Sequence, residues 1–304
     1  MTATAGASTT APLHGRTLVE RASRELLDPD GRSLAAAVQW WELPGQAEPS
    51  PVAVVGSGSP LLLLHGFDSS FLEFRRLVPL LAERHQLLIP DLFGFGFHPR
   101  PAGADQGPEA VLTHLEHLLT VLPSRIDQPG PLGLIGASMG GAVAVALARR
   151  CPEQIERLLL LAPAGLTGRP MPVPPLLDRL GVAFLSQPSV RRGLCRSAFA
   201  HPDRDVGAAE LQIASWHLQS PRWAEALARF ARSGGFAGCG DPLPPQPLQV
   251  LWGLNDRILR PPQKRAALNL LGDRLRELPD CGHLPHIDQP LQVAAAWNDR
   301  ASFR

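Results

Sequence analysis

Residues 133–144 read GLIGASMGGAVA, a short apolar run that breaks into small residues around Ser138 and then turns helix-like. Gly136 and Gly140 flank the serine and leave the backbone nearly bare of side-chain bulk. Two readings compete. A tight strand-to-helix turn needs glycine, and serine caps helices well. Alternatively, the turn holds a nucleophile in the open. In a Gly-x-Ser-x-Gly elbow the hydroxyl stands at the C-terminal edge of a sheet, and the glycines make room for strained backbone and a close-packed helix. The five residues alone are a weak signal. Their surroundings favour the elbow, because GPLGLIG before the serine reads as a buried strand and MGGAVAVALARR after it as a helix.

Working outward, PLLLLHGF and HQLLIPDLFGFG are continuous apolar runs, as is IERLLLLAPAG after the elbow helix. Runs without alternation are how strands buried on both faces read, which points to a parallel sheet. Between them, GPEAVLTHLEHLLTVL is amphipathic and helical, and SSFLEFRRLVPLLAERH carries a helical stripe of Phe71, Phe74, Leu77, Val78 and Leu81, with Ser70 placed as a cap. VERASRELL and RSLAAAVQWWEL read as two early strands joined by a DPDG turn. From about Leu166 to Pro247 the rhythm breaks into proline-rich helical segments with no strand. It resumes with a strand at Leu248–Trp252, the helix KRAALNLLG, the strand RLRELPD and the helix PLQVAAAWNDRA. Strands alternating with helices predict an α/β fold with a mostly parallel sheet. The expected organisation is a disordered tail over 1–16, a core over 17–165 and 248–304, and a helical lid inserted at 166–247.

Composition narrows the function classes. The chain has 304 residues, 44% hydrophobic and 19% charged, with a formal net charge of +1. No basic run marks a nucleic-acid partner. Cys151, Cys195, Cys239 and Cys281 are dispersed, with no Cys-x-x-Cys pair, so a zinc ribbon or disulfide framework is not expected. Reduced thiols point to a cytoplasmic setting, with Cys151 and Cys281 packed as small hydrophobes. The opening residues lack the apolar core of a secretory signal. No run reaches the roughly 20 apolar residues of a membrane span. The loop DLFGFGFHP lacks the Gly-x-Gly-x-x-Gly pattern after a strand, so no nucleotide cofactor is expected. His114 and His117 share a helix face without matching carboxylates and read as a solvated face, not a metal site.

A serine hydroxyl needs a base, normally histidine held by a carboxylate. After an elbow of this type the acid follows a later strand and the histidine comes near the C-terminus. Asp256, in VLWGLNDRIL, and His283, in PDCGHLPHID, occupy those positions. His286 competes with His283 and reads as a surface or helix-entry residue, while Asp273 and Asp280 compete with Asp256 and read as loop and turn residues. The backbone N–H groups of Met139, at the helix start, and Phe67, after PLLLLHGF, are the candidate oxyanion donors. His65 reads as a residue that orders that loop.

LLLLHGF, GASMGG, WGLND and CGHLPH occur in that order, and with them the chain resembles the α/β-hydrolase superfamily from about residue 17 onward. The resemblance implies an eight-stranded, mostly parallel sheet with helices on both faces and an inserted helical lid. It also implies a Ser138–His283–Asp256 triad with the Phe67 and Met139 amides as oxyanion hole. HGFDSSFLEFRRLVPLL and DLFGFGF look like the cyanobacterial and chloroplast branch that includes chlorophyll dephytylases and pheophytinases, whereas GASMGG is unlike the lipase-type elbow of chlorophyllases. The expectation is therefore a cofactor-free serine hydrolase acting on a small apolar ester, such as a phytyl or long-chain ester, with peripheral membrane contact and thylakoid association if that branch holds. Thioester, perhydrolase or C–C bond chemistry on the same triad is the alternative, as is a binding or signalling protein on the same scaffold. Met171, Val173, Leu176, Leu177, Phe184, Leu185, Trp216 and Trp223 either enclose an apolar chain or form the lid's own core.

Overall fold

Leu61 to Leu64 form one strand with alternate leucines on opposite faces of a sheet, and both faces are buried. Leu62 and Leu64 belong to one apolar cluster and Leu61 and Leu63 to the other, all inaccessible to solvent. Each leucine buried this way contributes about 1.5–3 kcal/mol, which is why the run carries no polar alternation. The computed structural model describes residues 14–303.

The sheet has eight strands: β1 (Val38–Trp41), β2 (Ser50–Val55), β3 (Ser59–Leu64), β4 (His85–Pro90), β5 (Leu132–Ala137), β6 (Ile155–Leu161), β7 (Leu248–Gly253) and β8 (Leu275–Leu278). Their order is β1-β2-β4-β3-β5-β6-β7-β8. β2 runs antiparallel to β1 and β4, and all other pairs are parallel. The chain leaves β3 for β4 on one side and returns to pair β5 on the other. This makes a switch point at the carboxyl ends of β3 and β5, where open α/β sheets leave a crevice for ligands.

Helices α1 (His14–Glu25) and α2 (Pro29–Ala36) precede β1, and the short α3 (Val78–Leu81) precedes β4. α4 (Pro108–Val121) and α5 (Met139–Arg150) flank β5. Between β6 and β7 lie α6 (Leu177–Leu185), α7 (Pro188–Ala198), α8 (Pro202–Asp205), α9 (Ala208–Trp216) and α10 (Trp223–Ser233), with no strand. α11 (Pro261–Leu271), α12 (Pro285–Asp288) and α13 (Pro290–Asn298) complete the chain. Among the described residues no helix is long and apolar enough to cross a membrane.

The early segment differs from its expectation. VERASRELL is helix, because Leu18, Val19, Ala22 and Leu26 recur at helical spacing and are all buried. DPDG starts a helix instead of turning a hairpin. The Asp28 carboxylate accepts the Gly31 N–H at 2.9 Å, and Pro29 takes the first helical position. RSLAAAVQWWEL is split between α2 and β1, and SPVAVV supplies a strand the sequence reading passed over. The expected tail at 1–16 falls largely outside the described residues, but His14–Arg16 belong to α1. Ser70 precedes a 3-10 turn over Phe71–Phe74, and its side chain makes no capping bond. The Phe71 N–H goes instead to Asp91 Oδ1 at 2.7 Å.

Candidate active site

Ser138 sits between β5 and α5 with φ +51° and ψ −119°. A serine at positive φ is strained, and such a geometry persists only where its surroundings hold it. Here the Ser138 N–H donates to Leu161 O on β6 at 2.9 Å, while its carbonyl accepts from Gly141 and Ala164. The flanking glycines allow the close approach. A Cβ on Gly136 would lie 2.3 Å from Gly140 O, and one on Gly140 would lie 2.0 Å from Leu64 O. Strand β3, helix α5 and the serine turn therefore meet with no room for a methyl group.

The structure brings the three expected side chains together from the ends of different strands. His283 Nε2 is 2.9 Å from Ser138 Oγ, and His283 Nδ1 is 2.9 Å from Asp256 Oδ2. Asp256, beyond β7, also accepts the Trp252 indole N–H at Oδ2 (3.0 Å) and the Ile258 and Leu259 amides at Oδ1 (2.8 and 3.1 Å). Burial pushes its carboxyl up, but the His283 hydrogen bond and the two amides outweigh it, so the group is held below the usual carboxylate value and stays ionised. The acceptor then fixes Nδ1–H on His283 and leaves Nε2 facing the serine. The His283 N–H donates to Ala198 O at 2.8 Å, tying this loop to the end of α7.

The loop after β3 is clamped on both sides of Phe67. The Leu92 N–H donates to His65 Nε2 (3.0 Å), which leaves Nδ1–H to donate to Gly66 O (2.8 Å). His65 is fully buried, and burial lowers its affinity for a proton, so it orders the loop as a neutral ring. The Gly66 N–H donates to Glu73 Oε1 at 3.1 Å. Beyond Phe67, Asp68 takes three donors from the helical insertion: Trp223 Nε1 (2.7 Å), His217 Nε2 (3.1 Å) and Arg191 Nη1 (2.5 Å). Among the described residues, neither the Phe67 nor the Met139 amide is given to another acceptor.

The competitors lie elsewhere. His286 stands at the entry to α12, but it is fully buried and not at the surface, stacked on Phe74 (4.9 Å between centroids) and 3.4 Å from Glu73 Oε1. Asp280 faces His201 at the surface, 3.5 Å away. His114 is likewise buried instead of solvated, because Gln46, Phe93 and His98 cover it; its Nδ1 is 2.6 Å from Gln46 Nε2.

A cavity of about 250 Å³ opens beside Ser138 and His283, lined by Phe67, Leu185, Arg191, Leu194, Cys195 and Ile258 among others. Of the eight apolar residues expected to enclose a substrate, Leu185 lines it. Trp216 and Trp223 are core residues, and Met171, Leu176, Leu177 and Phe184 point outward. Sequence reasoning missed the roles of Asp68, Arg191, His217 and Cys195 at the site, and took Trp223 only for an apolar lid residue, not as a donor to Asp68. No local pattern announces a pairing across 123 to 155 residues. Cys151 and Cys281 pack as expected against apolar clusters.

The chain is 30% identical over 263 residues to the alpha/beta hydrolase domain-containing protein VTE7 of Arabidopsis thaliana, covering 83% of this chain and 77% of that protein. It is 28% identical over 272 residues to the 2-hydroxy-6-oxo-2,4-heptadienoate hydrolase of Pseudomonas putida, covering 81% and 90%. It is also 28% identical over 256 residues to Lipase 1 of Psychrobacter immobilis, covering 76% and 73%. The model of the alpha/beta hydrolase family matches residues 61–296, from β3 through α13. With its eight-stranded sheet and serine elbow, the chain belongs to the α/β hydrolase family.

Proposed function

We propose that the chain is a serine hydrolase that cleaves a carboxylic ester of an apolar substrate through an acyl-enzyme, with no cofactor. The observation that carries this reading is the unbroken line from Asp256 Oδ2 through His283 to Ser138 Oγ, with both links at 2.9 Å. His283 Nε2 accepts the Ser138 proton as Oγ attacks the carbonyl carbon, and the Asp256 carboxylate stabilises the imidazolium that forms. The developing oxyanion rests on the Phe67 and Met139 amides, the latter at the start of a twelve-residue helix whose dipole favours negative charge. Imidazolium then protonates the leaving alcohol. Water, deprotonated by the same nitrogen, attacks the acyl-enzyme and releases the acid.

Helices α6 to α10 act in this reading as a lid over residues 166–247. The cavity beneath is below the ~300–1,000 Å³ of drug-sized ligand pockets, so it encloses the reacting end of the substrate. A phytyl or long chain would extend through the mouth toward a membrane contacted peripherally, such as a thylakoid. The similarity to the heptadienoate hydrolase supports a second reading, C–C bond cleavage on the same triad. Esters of graded chain length, chlorophyll, pheophytin and a vinylogous diketone, each run against Ser138→Ala, separate the two. Ester turnover that disappears in the variant is expected. Unchanged esterase activity in Ser138→Ala sinks the assignment, and turnover of the diketone alone favours the second reading.

A further inference from the structure

Six of the ten exposed large apolar side chains among the described residues fall between residues 171 and 194: Met171, Leu176, Leu177, Leu180, Phe184 and Leu194. The first five are 55% to 81% exposed. Leu177, Leu180 and Phe184 recur at three- and four-residue spacing, so they share one face of α6. The opposite side of the helix turns Asp178 and Val182 into the protein. A concentration like this is a contact surface, since monomeric proteins scatter exposed leucines singly.

The exposed charges of the same segment have one sign. Arg169, Arg179 and Arg192 are exposed, and among the described residues none of the three side chains is in an ion pair. The one acid between residues 168 and 194, Asp178, is buried and lies 3.3 Å from Arg232. The chain as a whole carries 29 basic and 28 acidic residues, so the excess of basic groups in this segment is local; Arg179 stands at the crevice between α6 and α10, with Glu225, Arg229 and Arg232. Self-association through a two-fold contact would set arginine against arginine. A bilayer with anionic headgroups takes both features: leucine and phenylalanine enter the acyl boundary while arginine meets phosphate.

We propose that the outer face of α6, with the arginines around it, docks on an anionic lipid surface. Leu194 both lines the cavity beside Ser138 and is exposed, and Leu185 at the end of α6 lines it as well. The mouth therefore adjoins the docking face, and an apolar substrate enters from the lipid without crossing water. That last step rests on the ester reading, whereas the docking itself does not.

The test is co-sedimentation of the full chain with phosphatidylcholine vesicles, with and without about one-third phosphatidylglycerol, at low and high salt. The wild type is expected to pellet with the anionic vesicles and to be released by salt. Replacing Arg169, Arg179 and Arg192 together by serine should weaken binding on the order of 100-fold at low salt. Leu180→Ser with Phe184→Ser should weaken it by roughly tenfold or more for each residue. Both variants should hydrolyse a short water-soluble ester as the wild type does. Equal partitioning of wild type and variants overturns the docking, as does a dimer in light scattering that the Leu180/Phe184 variant dissolves. Vesicle binding needs no turnover, so absence of any esterase activity would remove the ester reading and leave this result intact.

Discussion

Asp68 Oδ1 accepts a 2.7 Å hydrogen bond from the indole N–H of Trp223, 155 residues further along the chain. The two residues join the loop after β3 to the first turn of α10. With Arg191 and His217, Asp68 forms a nearly dry charged cluster that fixes the residue next to the Phe67 amide. Asp68→Ala leaves the Arg191 guanidinium without its counter-ion, though still bonded to Ala214 O, and the Trp223 indole N–H without an acceptor, at a cost of about 3–5 kcal/mol. Denaturant unfolding should show that loss, while Asp68→Asn, which keeps an acceptor oxygen, should lose less. On the proposed mechanism the loop supplies an amide used in the transition state, so in Asp68→Asn kcat is expected to fall further than KM rises. A change confined to KM would contradict this.

On the proposed mechanism, the three side chains act as a unit. Asp256→Asn should lower kcat by about 10⁴, since the wrong tautomer of His283 then faces Ser138. Ser138→Ala and His283→Ala should each cost about 10⁶, and the double variant little more than either alone. Single-turnover and steady-state rates on one ester check the pattern; additive losses would argue against a shared step.

Gly140→Ala places a methyl group 2.0 Å from Leu64 O, against backbone that cannot swing aside. Overpacking of this kind costs about 1–3 kcal/mol or more. The substitution should also displace the elbow, removing activity out of proportion to the lowered thermal midpoint. Full activity in a folded Gly140→Ala protein would show that the elbow tolerates slack.

Stability should fall as pH is lowered from 7 to 5. Burial holds His98 to about 3, against an ordinary value of 6.5, and it also lowers His65, His114 and His217. The unfolded chain takes up protons that these folded rings refuse. Their contribution is therefore present above about pH 6.5 and drains away as pH falls below it. Asp91, raised to about 7 by burial, runs the other way: its contribution is complete below about pH 4 and lost as pH rises toward 7. Burial lowers His85 as well and raises Asp288, so five rings set the expected direction against two carboxyls. In His98→Gln the slope should become shallower by about one proton, or about 1.4 kcal/mol per pH unit, as measured by thermal melts across pH.

Parallel strands were legible because burial on both faces leaves them no polar positions, and β3 to β6 begin and end close to where the apolar runs do. The N-terminal helix was not read, although its buried residues follow a helical period, because DPDG suits a hairpin as well as a helix start. His114 and His286 looked exposed for a related reason. A polar side chain on a helix is covered by whatever the fold lays over it, and Gln46 and Phe74 lie 68 and 212 residues away.

By itself the sequence determined the layer architecture, the elbow and the chain order of the candidate triad. Those depend on local backbone geometry and on the solvent preference of short runs. The tertiary structure alone decided how Asp68 ties the loop after β3 to the insertion, which apolar residues face outward, and that His286 is buried against Phe74 instead of lying at the surface. Each of these depends on distances between residues far apart in the chain. Such distances are set by packing of the whole core, and no spacing in the sequence encodes them.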